Sequence, residues 1–165
     1  MMAKFLLGLM IVGFTSFCGY FFTQKYRKRK LFLTQLFEFN ERFLSEISYY
    51  RRPLGEFFAR YAYKSEFHQF LEGYLENIKS KTGGVENILE LENFSFLTKE
   101  EKSVLSDYFQ MLGKGDSASQ KAYFSSVKER LSKLQNEAIA AHKRYGDLYI
   151  KLGFLCGLFI LILIL

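Results

Sequence analysis

The sequence predicts an all-α protein, a helical bundle of about five or six helices flanked by N- and C-terminal transmembrane helices. Three observations support this fold class. The chain of 165 residues contains one proline and few β-branched runs, which favours helices over strands. Apolar residues in the middle of the chain recur at spacings of three and four, the period of one helix face. Both ends of the chain are apolar and almost free of charge.

Each apolar end is long enough to cross a lipid bilayer. Residues 5–22 are 18 uncharged residues, about 27 Å of helix against a hydrocarbon core of about 30 Å. Residues 152–165 are also uncharged, and residues 148–150 extend this span if Lys151 reaches toward the headgroups. The predicted domains are therefore an N-terminal transmembrane helix at 1–24, a helical bundle at 25–147 and a C-terminal transmembrane helix at 148–165.

A cleaved signal peptide is the rival interpretation of the first 22 residues. The apolar run is longer than the usual apolar region of a signal peptide, which spans about 7–15 residues. No A-x-A cleavage site follows this run, and basic residues come directly after it. We therefore favour a membrane anchor that stays part of the protein.

The positive charge of the chain lies beside the two predicted spans. The net charge is +6, yet residues 31–142 hold 14 basic and 16 acidic residues, a net of −2. A nucleic-acid-binding domain carries a basic face on the folded domain itself, so this distribution argues against nucleic acid as a partner. Basic residues remain on the cytoplasmic side of short flanks, which predicts a cytoplasmic bundle. The membrane-flanking basic residues are Lys25, Arg27, Lys28, Arg29, Lys30, Lys143 and Arg144.

Three helices are predicted in the first half of the bundle. The first runs over residues 31–50, and Pro53 ends it and occupies the first turn of the second. The third covers Ser65–Ser80, and Gly83-Gly84 breaks the pattern after it. The apolar stripe of the first helix is Leu33, Leu36, Phe37, Phe43, Leu44, Ile47 and Tyr50. The second presents Leu54, Phe57, Phe58, Tyr61 and Ala62, and the third Phe67, Phe70, Leu71, Tyr74, Leu75 and Ile78.

The second half of the bundle contains clearer helix boundaries. Val85, Ile88, Leu89 and Leu91 suggest a short helix, and residues 93–97 a buried connection. Thr98-x-x-Glu101 is a capping box that opens the next helix, and Gly113 suits the left-handed position past its end. A second capping box is predicted at Ser117-x-x-Gln120. Nothing interrupts the helix that follows before Gly146, so we expect one long helix from Ser117 into the second span.

The residues that perform chemistry in other proteins do not form a catalytic pattern here. Cys18 and Cys156 fall in the two spans, and His68 and His142 lack carboxylates at ligand spacing. Glu46, beside the apolar stripe, is expected to be a solvated charge. Residues 113–117 resemble the end of a phosphate-binding loop, but the first glycine is missing and a helix precedes them. We predict a protein that is not an enzyme and has no catalytic, cofactor-binding or metal residue and no small-molecule substrate.

Small residues in both spans offer surfaces for close helix packing. Gly153-x-x-x-Gly157 lies in the second span and Thr15-x-x-x-Gly19 in the first. Such pairs let two helix backbones approach each other in a membrane. They are also compatible with a homo-oligomer, because the partner of either pair can be a second copy of the chain.

Four short motifs, in their order along the chain, resemble one known family. They are Glu46-Ile47-Ser48-Tyr49, Pro53-Leu54-Gly55-Glu56-Phe57-Phe58-Ala59, Leu112-Gly113-Lys114-Gly115-Asp116 with Gln120, and Tyr145-Gly146, Tyr149 and Leu152-Gly153. Their spacing and their position between two spans are similar to those of the stage III sporulation protein AB family of endospore-forming bacteria. The chain departs from that family where Arg52, Gly55 and Gly115 replace its threonine, its second proline and its serine. Arginine cannot accept the amide hydrogen bond that threonine accepts at a helix start. A partner contact that the family makes at this corner therefore does not carry over directly to this chain.

The resemblance implies a fold and a role. Members of the family look like the cytoplasmic domain of the inner-membrane platform protein of type II secretion and type IV pili. They belong to a complex at the mother-cell membrane that faces the forespore, with other stage III sporulation channel proteins. By analogy, the cytosolic partner is the sporulation ATPase, protein AA, which resembles secretion motor ATPases.

The expected contacts with this partner lie in two polar loops, because binding residues concentrate in loops on a rigid scaffold. One is the corner 51–56 and the other the turn Gly113–Asp116, which gives Arg51, Arg52, Glu56, Lys114 and Asp116 as candidate partner-binding residues. The alternative is a generic membrane-anchored helical scaffold or regulator in another envelope system. A pore former of the holin type is disfavoured because the spans carry few polar residues.

Overall fold

The computed structural model of the chain describes residues 2–49, 57–58, 60–80, 84–114 and 116–164. Within these ranges the regular structure is entirely helical, which confirms the predicted all-α fold class. The helices are α1 (Met2–Tyr49), α2 (Ser65–Ser80), α3 (Val85–Leu89), α4 (Lys99–Met111) and α5 (Ser117–Ile164), with a 3-10 turn at Glu92–Phe94. Residues 57, 58 and 60 are also helical, whereas Pro53 and the start of the second predicted helix lie outside the described residues.

The chain forms two compact units, and α1 and α5 each contribute to both. The terminal unit consists of Met1–Lys30 and Glu137–Leu165. The bundle consists of Leu31–Asn136. The expected long helix from Ser117 is present as α5, and α1 likewise continues without a break from the first apolar segment into the bundle.

Aromatic side chains fill the core of the bundle. Phe39 of α1 is fully buried, and its ring lies 5.2 Å from Phe57, 6.0 Å from Phe67 and 5.6 Å from Phe109, measured between ring centroids. Phe32 is also buried and meets Phe67 edge to face at 5.2 Å. Edge-to-face pairs of this kind contribute about 0.5–1.5 kcal/mol beyond the burial of their area. The predicted stripe of α1 omitted Phe32 and Phe39, and both side chains are central to the core.

Gln35 and Asn40 of α1 are buried and form hydrogen bonds across the bundle. The Gln35 side chain pairs with the backbone of Lys64, accepting from its N–H at 2.6 Å and donating to its C=O at 3.1 Å. Asn40 is fully buried; its amide donates to the carbonyl oxygen of Phe124, and it accepts from the hydroxyl of Tyr108 at 3.1 Å. These bonds fix the chain segments that face α1, because an unpaired buried polar group is costly.

The predicted bounds of α2, Ser65–Ser80, are confirmed. Phe67, Phe70, Leu71 and Tyr74 are buried as expected. Ile78 is 51% exposed, so its predicted inward position is wrong. Ala62, predicted on the apolar face of the second helix, is exposed, so that position is wrong as well. Leu91, predicted to belong to the short helix, lies after the end of α3.

The capping box at α4 is confirmed, and the one at α5 is wrong. The Thr98 hydroxyl accepts from the Glu101 N–H at 3.2 Å, and the Glu101 carboxylate accepts from the Thr98 N–H at 2.8 Å. At α5 the cap is Asp116, whose Oδ1 accepts from the Ser119 N–H at 2.8 Å. Aspartate is as good a cap as serine and lies one residue earlier, where it reaches the third amide of the helix.

In the terminal unit, the two helical segments run antiparallel and touch at small residues. A Cβ atom placed on Gly153 would lie 2.6 Å from the Thr15 carbonyl oxygen and 3.4 Å from the Gly19 Cα. Gly157 likewise faces Thr15 and Val12. The two predicted small-residue pairs therefore face each other within one chain, and only glycine permits this approach.

One helix among the described residues, α5, is long and apolar enough to cross a membrane, over Ser117–Leu163. The predicted first span, residues 5–22, is helical, although its first three side chains lie outside the described residues. The rest of that segment exposes large apolar side chains, as a surface in contact with lipid does. These side chains are Leu9, Met10, Phe14, Phe17, Phe21 and Phe22.

Candidate functional site

The turn between α4 and α5 presents the two candidate partner-binding residues that the structure describes. Gly113 has a φ of 80°, the left-handed conformation predicted for it, and the Lys114 N–H donates to the Met111 carbonyl at 3.1 Å. The Lys114 carbonyl in turn accepts from the Gln120 side chain at 3.1 Å. Lys114 and Asp116 are exposed on this turn, so their side chains are accessible to a partner.

Asp116 also has a structural role at the start of α5. The hydrogen bonds from Ser119 hold the pKa of the Asp116 carboxyl below its usual value, because they stabilise the charged form. The negative charge also lies at the positive end of the helix dipole. A variant at this residue therefore alters both the helix start and any contact with a partner.

An open groove of about 490 Å³ lies directly beside this turn. Its walls are mainly apolar, and Lys114 is the one charged side chain among its lining residues in the described part of the chain. Ile78 lies half exposed at the groove, and the amide side chains of Asn77 and Gln110 add hydrogen-bonding groups. The lining residues are Tyr74, Asn77, Ile78, Gly84, Val85, Phe109, Gln110, Leu112, Gly113 and Lys114.

Sequence reasoning located the turn but missed the groove. Ile78 belongs to the helical stripe of α2, and a periodic pattern cannot show that its position lies beyond the end of the packing surface. Two of the residues that line the groove are glycines, Gly84 and Gly113. Each lies in a segment that the sequence already identified as a break or turn.

The second predicted contact, the corner that contains Arg51, Arg52 and Glu56, lies outside the described residues. Glu46 precedes it on α1 and is buried, so the expected solvated charge is wrong. Its Oε1 accepts from Arg60 at 3.0 Å and from the Tyr61 hydroxyl at 3.2 Å. The ion pair with the partly exposed Arg60 offsets part of the cost of burying this carboxylate, whose Oε2 is buried without a hydrogen-bond partner among the described residues.

The membrane-flanking basic residues lie in the terminal unit around a stack of aromatic rings. Tyr26 of α1 stacks on Tyr145 and Tyr149 of α5, with centroids 5.1 Å and 6.0 Å apart. The Arg144 guanidinium lies 5.5 Å from the centre of the Tyr145 ring. The stack brings residues 25–30 and residues 143–144 to the same level of the helix pair.

The buried tyrosines of the bundle have structural roles. Burial raises the pKa values of Tyr63, Tyr74 and Tyr108, so these hydroxyls stay protonated. Tyr74 donates to the Phe109 carbonyl at 2.9 Å, and Tyr108 donates to Asn40. In the described ranges, no three His, Cys, Asp or Glu side chains lie close enough together to hold a metal ion.

Comparison with known proteins identifies one family. No curated protein matches the chain, and no solved structure matches it either. The family model of stage III sporulation protein AB matches residues 4–165, nearly the whole chain, including both helices of the terminal unit and all of the bundle. The chain is therefore a member of the stage III sporulation protein AB family.

Proposed function

We propose that this sporulation protein is a non-enzymatic platform component of the secretion-like channel complex at the mother-cell membrane that faces the forespore. Membership of the stage III sporulation protein AB family is the observation that carries this proposal. The apolar terminal unit anchors the chain in the bilayer. The basic residues at the end of its apolar surface keep the bundle in the cytoplasm, where a soluble partner can reach it.

The bundle docks the cytosolic motor ATPase of the complex, the sporulation ATPase protein AA. The groove beside the turn Gly113–Asp116 supports this part of the proposal, because it combines an apolar wall with one exposed cation. A partner segment with an apolar side chain and a neighbouring carboxylate is complementary to such a surface. Ile78 and Lys114 are then the central contacts.

A substitution in the groove tests the docking. Ile78→Asp places a charge on a half-exposed side chain, so the bundle should fold while the apolar contact is lost. The matched control is Leu91→Asp, because Leu91 is 56% exposed and does not line the groove. We expect crosslinking of the full-length chain to the ATPase in membranes to fall about tenfold or more for Ile78→Asp and to remain for Leu91→Asp. Equal crosslinking of both variants and the parent would contradict docking at this groove.

Deletion of the gene tests the role in sporulation. Cells that lack the protein should complete engulfment and then stop, with a shrinking forespore and a silent late forespore reporter. A membrane dye and the reporter show this directly. A normal count of heat-resistant spores would instead favour the generic envelope scaffold, whose gene would lie away from genes for channel proteins and a motor ATPase.

A further inference from the structure

Two helices bring five basic side chains together at one end of the terminal unit. We call Lys25, Arg27, Lys30, Lys143 and Arg144 the basic cluster. The first three lie on α1 and the other two on α5. The stacked rings of Tyr26 and Tyr145, each next to a member of the cluster in the chain, hold the two groups at the same level.

The chain segments that carry the basic cluster contain few acidic residues. Residues 23–30 contain no acidic residue, and residues 137–151 contain only Glu137 and Asp147. Among the described residues, none of the five cations forms an ion pair with a carboxylate, and all except the half-buried Lys30 are exposed. The surface therefore presents a concentrated positive potential.

His142 is affected by this potential. It lies one residue before Lys143, and partial burial together with the charges of Lys30 and Arg27 holds the pKa of its imidazole below the usual value. Asp147 opposes this shift but does not cancel it. Cations of α1 therefore act on a side chain of α5, which agrees with one shared cluster.

The aromatic stack indicates how deep in the bilayer the basic cluster lies. Phe22 and Tyr149 lie 6.0 Å apart at the end of the exposed apolar surface, and Tyr26 and Tyr145 follow beyond them. Tyrosine concentrates at the boundary between hydrocarbon and water, where the lipid phosphates lie. Lys151 lies two residues, about 3 Å, deeper than Tyr149 within the span, and its long stem can reach the same boundary.

We propose that the basic cluster binds the headgroups of anionic phospholipids. The inference rests on the membrane anchoring in the proposed function and is independent of the ATPase. Phosphate oxygens accept hydrogen bonds from lysine and from the fork of arginine, so cations at headgroup depth take lipid as their counter-ion. Near a negatively charged bilayer surface each such cation strengthens association roughly fivefold, and salt weakens the effect. Anionic lipid then stabilises the end of the helix pair where the cations would otherwise repel each other.

The test uses the full-length chain in nanodiscs made of equal parts phosphatidylcholine and phosphatidylglycerol. Native mass spectrometry after mild release counts the lipids of each class that remain bound. We expect the parent chain to retain phosphatidylglycerol in clear excess. In a quadruple variant, with Lys25→Gln, Arg27→Gln, Lys143→Gln and Arg144→Gln, this preference should fall about tenfold or more. The variant keeps Lys28, Arg29 and Lys30, which maintain the topology signal.

A control variant removes the same charge from exposed lysines of the bundle, at Lys64, Lys79, Lys99 and Lys121. It should retain the lipid preference of the parent, and circular dichroism should show equal helix content in all three proteins. Equal retention of the two lipids by the parent, or an unchanged preference for phosphatidylglycerol in the quadruple variant, would overturn the proposal. Displacement of phosphatidylglycerol by inorganic phosphate at constant ionic strength would assign the site to free phosphate and overturn it as well. No outcome depends on the ATPase, so docking is tested separately.

Discussion

The amide of Asn40 shows how much the bundle depends on single polar contacts. It is fully buried, and both of its polar atoms have partners, the Tyr108 hydroxyl and the Phe124 carbonyl. We expect Asn40→Ala to lower the free energy of unfolding by about 2 kcal/mol, because Tyr108 then keeps a buried hydroxyl without an acceptor. Urea unfolding of the full-length chain in detergent, followed by circular dichroism, measures this loss.

Two further variants separate the hydrogen bond from other effects of the substitution. Asn136→Ala removes an exposed amide from α5 and should change the stability by less than about 0.5 kcal/mol. In a Tyr108→Phe background, Asn40→Ala should lower the free energy of unfolding by about 1 kcal/mol less than in the parent. The hydroxyl that would lose its acceptor is absent in that background. Strictly additive losses would show that the contact between Asn40 and Tyr108 contributes no coupling energy.

The start of α5 depends on the ionised form of Asp116. Its pKa is lower in the folded chain than in the unfolded chain, so the stabilisation by the charged cap is complete above the unfolded pKa and is lost as the pH falls through the folded pKa. Asp116→Asn keeps a capping side chain but removes the charge. We expect the parent to be more stable than this variant at neutral pH, and the difference to shrink between about pH 5 and pH 2. Urea unfolding of both proteins across this range provides the measurement, and a difference independent of pH would contradict the role of the charge.

Helix pairing in the terminal unit depends on several glycines, of which Gly153 is one. Gly153→Ala would place a methyl group 2.6 Å from the Thr15 carbonyl oxygen, so the helices must separate. Overpacking of this kind costs about 1–3 kcal/mol. Gly13→Ala is the matched control, because no atom beyond its own turn of helix lies within 4 Å of the added methyl group. Thermal unfolding in the same detergent should show a lower melting temperature for Gly153→Ala alone, and equal melting temperatures would show that close packing at Gly153 is unimportant.

At the scale of elements, the sequence predicts best what is local. The capping box at Thr98, the left-handed Gly113 and the bounds of α2 each depend on residues a few positions apart, and all three are confirmed. The cap of α5 was assigned to Ser117 instead of Asp116, because both residue types cap helices and the choice depends on the backbone of the turn.

The features that the sequence pattern did not predict depend on long-range contacts. Phe39 lies off the predicted stripe because α1 meets neighbours on more than one side, and a helix in that position buries a wider arc than a single stripe. Gln35 and Asn40 are buried because backbone groups 29 and 84 positions away complete their hydrogen bonds. Of the candidate site, the turn was predictable from its glycine, whereas the groove beside it required the positions of α2 and α3.

At the scale of the whole molecule, charge and apolar surface are divided between the two units. The exposed large apolar side chains concentrate in the terminal unit, which also holds the membrane-flanking basic residues. The bundle instead buries its aromatic rings and has a nearly balanced charge. This division suits a chain whose ends lie in a bilayer and whose middle meets a soluble partner.

The same division predicts the orientation of the chain in the membrane. Five cations at residues 25–30 directly follow the first apolar segment, and basic residues remain on the cytoplasmic side of short flanks, so the bundle should remain in the cytoplasm. A reporter that is active only outside the cytoplasm, inserted after the exposed residue Glu90, should therefore be silent. The same reporter fused to the amino terminus should be active, and a reporter that requires the cytoplasm should show the reverse at both positions. Activity of the first reporter at Glu90 would place the groove on the far side of the membrane from any cytosolic ATPase, and the docking proposal would fail with it.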